Sequence, residues 1–338
     1  MSGVMEFRVK KIFFMLFFVV FALSFSFAQS KDTKEQVEAL VKQGIAYHDK
    51  GEYDKAIETY KKALGIDPGS SWANYEIALT YMYKGNNEKA IEHCDMVIKS
   101  GSGAMVEAYI VKGSALDNLG KTQESIKLFN EGIEKFGQNH LLYYNLAFNY
   151  YKTGDFEDAE KNLFKALAVN PYHQSSHLLL GTIKARNGQR VQSMMSLYYF
   201  LLLEPDTGRS LTAFTLLQKQ LTGDVKKDGT AAKADPEFFD IEAMLPFAAS
   251  AQDIEEGDIF IKNTESFFLA VGALKQKGKK SNNIYWDFYT TIFHDIAKSG
   301  YLEPFCYLIG QTANNKAGKW LTANADKVKQ FAEWLNKY

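Results

Sequence analysis

The chain has 338 residues, 46% of them hydrophobic and 23% charged, with a formal net charge of −1. That balance describes a globular chain long enough for two domains and a sizeable core, and it excludes a disordered polymer. It also lacks the basic excess that marks a nucleic-acid partner. Aromatic residues reach 14%, with 25 Phe and 19 Tyr, more than core packing alone readily absorbs.

The chain opens on an export pattern. Arg8, Lys10 and Lys11 precede an apolar run from Ile12 to Ser24, and Ser26 and Ala28 are small residues three and one before a cut. Residues 1–28 are therefore expected to be a signal peptide, cleaved between Ala28 and Gln29, which sends the mature chain to the periplasm or the extracellular space. The competing reading is a retained N-terminal anchor, because Ile12 to Ala28 just reaches the shortest bilayer span. No cysteine follows the run to take a lipid. The chain's two cysteines, Cys94 and Cys306, fall in different expected domains and are read as buried free thiols.

From there the sequence is periodic. Gly51, Gly85, Gly120, Gly154 and Gly188 recur at intervals of 34, 35, 34 and 34 residues, each in a polar turn between two helical patterns. Glycine at such a point allows the left-handed backbone that ends a helix. Seven residues before these glycines stand Gly44, Ala78, Gly113, Ala147 and Gly181. Five after them stand Ala56, Ala90, Ser125, Ala159 and Ser193. All ten are small, as two helices crossing closely require. Nine after the glycines come Tyr60, Cys94, Phe129, Leu163 and Leu197, fillers for the space between helices. Pro68, Pro171 and Pro205 stop three of the second helices.

These residues closely resemble the tetratricopeptide repeat (TPR) family, whose pattern of small, aromatic and proline positions matches Gly44, Tyr47, Ala56, Tyr60, Ala63 and Pro68 in the first unit. The resemblance covers about Val37 to Asp206 and implies an all-α fold: a right-handed superhelix of helix pairs, a TPR solenoid, followed by a non-repeat helical domain. The fifth unit departs from the pattern at Lys184, which replaces an aromatic residue, and at Phe200, which replaces a small one. That unit is therefore expected to pack on something other than a standard sixth repeat. Arg209 to Thr222 reads as a lone capping helix.

The expected domains are a solenoid with its cap over 29–223, a polar glycine-bearing linker over 224–235, and a helical C-terminal domain over 236–338. In the last, helices are predicted from Asp235-Pro236, from Asp258 (with Phe260, Phe267, Val271 and Leu274 on one face) and over Ile284 to Ser299, the last stopped by Gly300. Further helical patterns follow to Leu335, and no period-two alternation argues for a sheet.

Chemistry is poorly supported. His173 and His177 stand four residues apart, but His177 occupies a packing position, and His294-Asp295 is weaker still as a ligand pair. No nucleophile motif, HExxH or phosphate loop is present, so neither catalysis nor a metal or other cofactor is expected. Recognition is better supported. The resemblance implies that positions on the first helix of each pair line a concave face. In the second unit these are Trp72, Tyr75, Leu79, Met82 and Tyr83; in the fourth, Leu141, Tyr144, Phe148, Tyr151 and Lys152. The third unit is more polar there, and the first supplies Glu38, Val41, Ile45, His48 and Asp49. Aromatic patches of this kind suit a protein or peptide segment with apolar anchors. Val41 and Ile45 stand where the carboxylate-gripping pair of some relatives would begin, so no such clamp is expected. The expectation is an exported scaffold or adaptor that binds a polypeptide segment. The alternatives are a C-terminal domain folded back over the same rings, a binding or catalytic site within that domain, and a membrane-tethered assembly factor.

Overall fold

The computed structural model describes residues 32–101, 103–223, 238, 240–241, 256–276 and 284–338. The leader 1–28, the linker 224–235 and the helix expected from Asp235-Pro236 lie outside the described residues, apart from isolated positions near the last. Every regular element among the described residues is helical.

Ten helices form the repeats: α1 (32–49), α2 (Tyr53–Ile66), α3 (Ser71–Tyr83), α4 (Asn87–Ser100), α5 (Met105–Asn118), α6 (Thr122–Phe136), α7 (His140–Thr153), α8 (Phe156–Val169), α9 (Gln174–Arg186) and α10 (Arg190–Leu203). Then come α11 (Gly208–Thr222), α12 (Glu256–Gln276), α13 (Thr290–Ser299, entered through a π-helical turn Tyr285–Tyr289), α14 (Leu302–Ile309), α15 (Asn315–Ala323) and α16 (Ala325–Leu335). The chain divides into two compact units, Met1–Gly137 and Gln138–Tyr338.

One turn is used five times. Gly51, Gly85, Gly120, Gly154 and Gly188 have φ between 70° and 86°. The next residue's N–H reaches back to the carbonyl of Tyr47, Tyr81, Leu116, Tyr150 or Lys184, in every case at 2.9 Å. This six-to-one bond closes the first helix of each pair and satisfies a carbonyl that would otherwise be orphaned.

The helix crossings explain the small residues. A Cβ on Gly44 would lie 2.2 Å from the Tyr60 ring, one on Gly113 2.3 Å from Phe129, and one on Gly181 2.9 Å from Leu197. Where the small residue is alanine, the facing filler is Cys94 or Leu163 instead of an aromatic ring. Volume is thus shared across each crossing. In the third and fifth pairs, Ser125 and Ser193 donate hydrogen bonds to the Gly113 and Gly181 carbonyls at 2.7 and 2.8 Å, which pins the two helices together.

In the second unit, α10 is buried at every position from Val191 to Leu201. It shares one apolar core with α7–α9, α11 and the C-terminal helices. Tyr198 stacks on Phe267, meets Phe268, Phe293 and Phe305 edge-on or tilted, and shares a hydrogen bond with Thr264 at 2.8 Å. Phe200 is fully buried, as a helix covered on several sides requires. The π-helical turn brings Tyr285 and Tyr289 onto one buried face, with ring centroids 5.6 Å apart.

Lys184 has a physical reason here. Its buried ammonium meets Glu160 at 2.5 Å, donates to Gln189 at 3.0 Å and lies 5.8 Å from the Tyr285 ring centroid. A long cation thus takes the place of an aromatic ring and links α9 to α8 and to the C-terminal helices.

Candidate functional site

Each unit presents its own aromatic face on the first helices of its pairs. In the first unit, Trp72 and Tyr83 are 52% and 61% exposed, large values for rings of this size. Trp72 meets Tyr75 edge-on at 5.9 Å and walls an open cleft of ≈ 1210 Å³ with Val37, Val41 and Ile45 on its floor and Glu38 and Lys42 at its rim. Three groove positions expected of the first repeat and one of the second therefore meet in a single cleft. Tyr75, Leu79 and Met82 are half-buried against α4 and α5. Burial pushes the Tyr75 hydroxyl up to about 12. These three are partly core, with less of their surface available than Trp72 and Tyr83. At the far end of the face, His48 packs between Tyr53 and Tyr83 at 5.2 and 5.0 Å and shares a hydrogen bond with Thr80 at 2.8 Å.

In the second unit the rings form a row. Tyr144 stacks on Phe148 at 6.4 Å, Phe148 lies 6.4 Å from Tyr151, and Tyr151 5.8 Å from Phe156. The Arg186 guanidinium closes the row 4.9 Å from the Phe156 centroid, in cation–π contact. Phe148 and Leu141 are 38% and 37% exposed, whereas Tyr144 and Tyr151 are half-buried. At the other end, His173 lies 4.9 Å from Tyr144 and 5.0 Å from His140. Desolvation, with His140 and Arg209 adding repulsion, lowers the His173 pKa to about 4, so this ring is neutral near pH 7. Phe156, Arg186 and His173 were not among the expected site residues. Their signal was weak in sequence, because Phe156 opens α8, His173 precedes α9 and Arg186 ends it, all at helix boundaries outside the groove positions.

The possible chemical groups are otherwise occupied. His177 is fully buried; its Nε2 donates to the Pro171 carbonyl at 2.8 Å, and its Nδ1 accepts from the Tyr289 hydroxyl at 2.6 Å. With both nitrogens used, no lone pair remains for a metal. Among the described residues, no three His, Cys, Asp or Glu side chains come together to hold an ion. Cys94 and Cys306 are buried free thiols in different units, and burial pushes Cys94 up to about 12. The His294 ring lies against Gly272, where a Cβ would overlap it. No helix among the described residues is long and apolar enough to cross a membrane.

The chain is thus a TPR-repeat helical solenoid, its repeats paired helix on helix, with additional C-terminal helices. Family profiles agree: one described as TPR repeat matches residues 44–85, and one described as Tetratricopeptide repeat matches 106–134 and 141–173. A TPR repeat-containing protein of Methanocaldococcus jannaschii is 26% identical over 157 residues, which are 44% of this chain and 28% of that protein. The chain spans less than a third of the length of the curated relatives it matches. Among solved structures, PilF of Pseudomonas aeruginosa is similar in fold at a TM-score of 0.50 and 15% identity, covering 77% of this chain and 99% of PilF. A thermophilic TPR protein of Thermus thermophilus aligns at a TM-score of 0.47 and 18% identity, over 55% of this chain and 98% of its own.

Proposed function

We propose that this protein is a non-catalytic interaction module that holds segments of other polypeptides against the first-helix faces of its repeats. The observation that carries this reading is the exposure of Trp72, Tyr83 and Phe148 on those faces. Large rings left in solvent on a repeat scaffold are the usual anchors of a protein partner. The buried thiols and the doubly bonded His177 support a non-catalytic role. The leader pattern around Arg8 and Ala28 supports export to the periplasm or beyond, with scaffolding performed outside the cytoplasm.

The test pairs Trp72→Ala with Phe148→Ala, because the exposure of both rings limits the effect on folding. Crosslinking in intact cells should capture a polypeptide partner with the wild type and lose it with the double variant, while the helical signal and melting stay close to wild type. Capture of the same partner by the double variant would refute the reading, as would a large drop in melting temperature. Export is checked by mass measurement of the mature chain, expected to begin at Gln29; an intact Met1 start would refute cleavage.

A further inference from the structure

The first helices of the second unit share a property beyond their aromatic row. Over α7, α9 and α11 there is no aspartate or glutamate, against Lys152, Lys184, Arg186, Arg209 and Lys219. Lys184 is paired with Glu160 and Arg209 with Glu204. The acids of the fourth pair lie instead at the start of its second helix, where Asp155 caps α8 and Glu157 and Asp158 pair with Lys161. Among the described residues Arg186 makes no ion pair, and it stands at the end of the row Tyr144, Phe148, Tyr151, Phe156. The first helices of the first unit differ, carrying Glu38, Asp49, Glu76, Glu107 and Asp117 among others.

We propose that the first-helix face of the second unit takes an acidic peptide segment whose apolar side chains lie about 6 Å apart. The proposal rests on the peptide-holding reading above and names the partner chemistry for this face. Ring centroids 6.4 Å apart match the spacing of alternate side chains in an extended chain, which rises roughly 3.3 Å per residue. Such a segment places one apolar side chain beside Leu141 and Phe148 and the next beside Tyr151. A carboxylate following these anchors reaches Arg186. First helices without carboxylates of their own leave an acidic ligand little like charge to approach along the row, and Arg186 is the cation it meets at the row's end.

The experiment uses the full chain, immobilised, and a library of short peptides with Phe, Leu or Tyr at alternate positions and Glu, Ser or Lys between them. Wild-type protein is expected to enrich Glu-bearing members over Lys-bearing ones, with binding that weakens as salt rises. Phe148→Ala should abolish that enrichment, and Arg186→Glu should weaken the Glu-bearing members about tenfold. Equal or stronger enrichment of Lys-bearing members would overturn the charge assignment while leaving peptide holding intact. So would Glu-bearing binding unchanged by Arg186→Glu. No enrichment of any member would sink the peptide-holding reading for this face together with its partner class.

Discussion

Replacing Gly113 by alanine tests the crossing rule on which each helix pair depends. A Cβ at Gly113 would stand 2.3 Å from Phe129 Cζ and 2.5 and 2.8 Å from its two Cε atoms. Ordinary carbon contacts are about 3.5–4 Å, so the ring would have to retreat by more than an ångström. Phe129 is only 1% exposed and has no open space to enter. Overpacking of this kind costs about 1–3 kcal/mol, and the helix propensity gained by removing glycine offsets about 1 kcal/mol. With an overlap this deep, Gly113→Ala is expected to lose about 2 kcal/mol. Phe129→Leu removes the three clashing atoms, so in that background the same substitution should be neutral or stabilising by up to about 1 kcal/mol. Urea unfolding followed by circular dichroism gives the two differences. Hydrogen exchange of α5 and α6 then localises them, since repeat arrays need not unfold as one cooperative block. An equal loss in both backgrounds, or a stable Gly113→Ala single variant, would refute the crossing rule.

Three further outcomes are expected. Lys184→Met keeps the buried stem but removes the ammonium facing Glu160, Gln189 and Tyr285; because Glu160 keeps some solvent, the loss should be about 1–3 kcal/mol, and adding Glu160→Gln should recover part of it, as thermal melts would register. Desolvation lowers His177 from 6.5 to about 4, so below pH 6.5 the unfolded chain binds a proton that the folded chain refuses. Its stabilising contribution is therefore present above pH 6.5 and lost as pH falls toward 4, an effect of about 3 kcal/mol, and His177→Gln should flatten the stability–pH profile in that window. An unchanged profile in the variant would remove His177 from the acid response. Finally, a thiol reagent should modify Cys94 and Cys306 only on unfolding, because both are buried; fast labelling of the native protein would contradict their placement.

Local rules were enough to read much of this molecule from its residues. The recurring glycine, the small residues at the crossings and the fillers facing them are set by contacts within one helix pair, at separations of about one repeat or less. A period therefore carries them without any knowledge of the rest of the chain. The helix Ile284 to Ser299 and its stop at Gly300 followed from side-chain periodicity in the same way, and Gly300 takes the left-handed backbone at φ 80°. An acid-free run over the first helices of the second unit was also present in the sequence; it had no meaning until those helices were placed on one face.

Tertiary structure decided what lies far apart along the chain. His177 meets Tyr289 across 112 residues and Tyr198 meets Thr264 across 66, so no repeat period could announce either contact. Lys184 and Phe200 showed in sequence only as departures from a pattern. Glu160 and Tyr285, the partners of Lys184, and the helices that cover α10 around Phe200 appear only once the chain has folded. Exposure was undecided for the same reason: Trp72 and Tyr75 belong to one helix and one aromatic patch, yet one is solvent-facing and the other half-buried against α4 and α5. Helical phase places a ring on a face, but how deeply it sinks depends on the volumes of the neighbouring helices it meets.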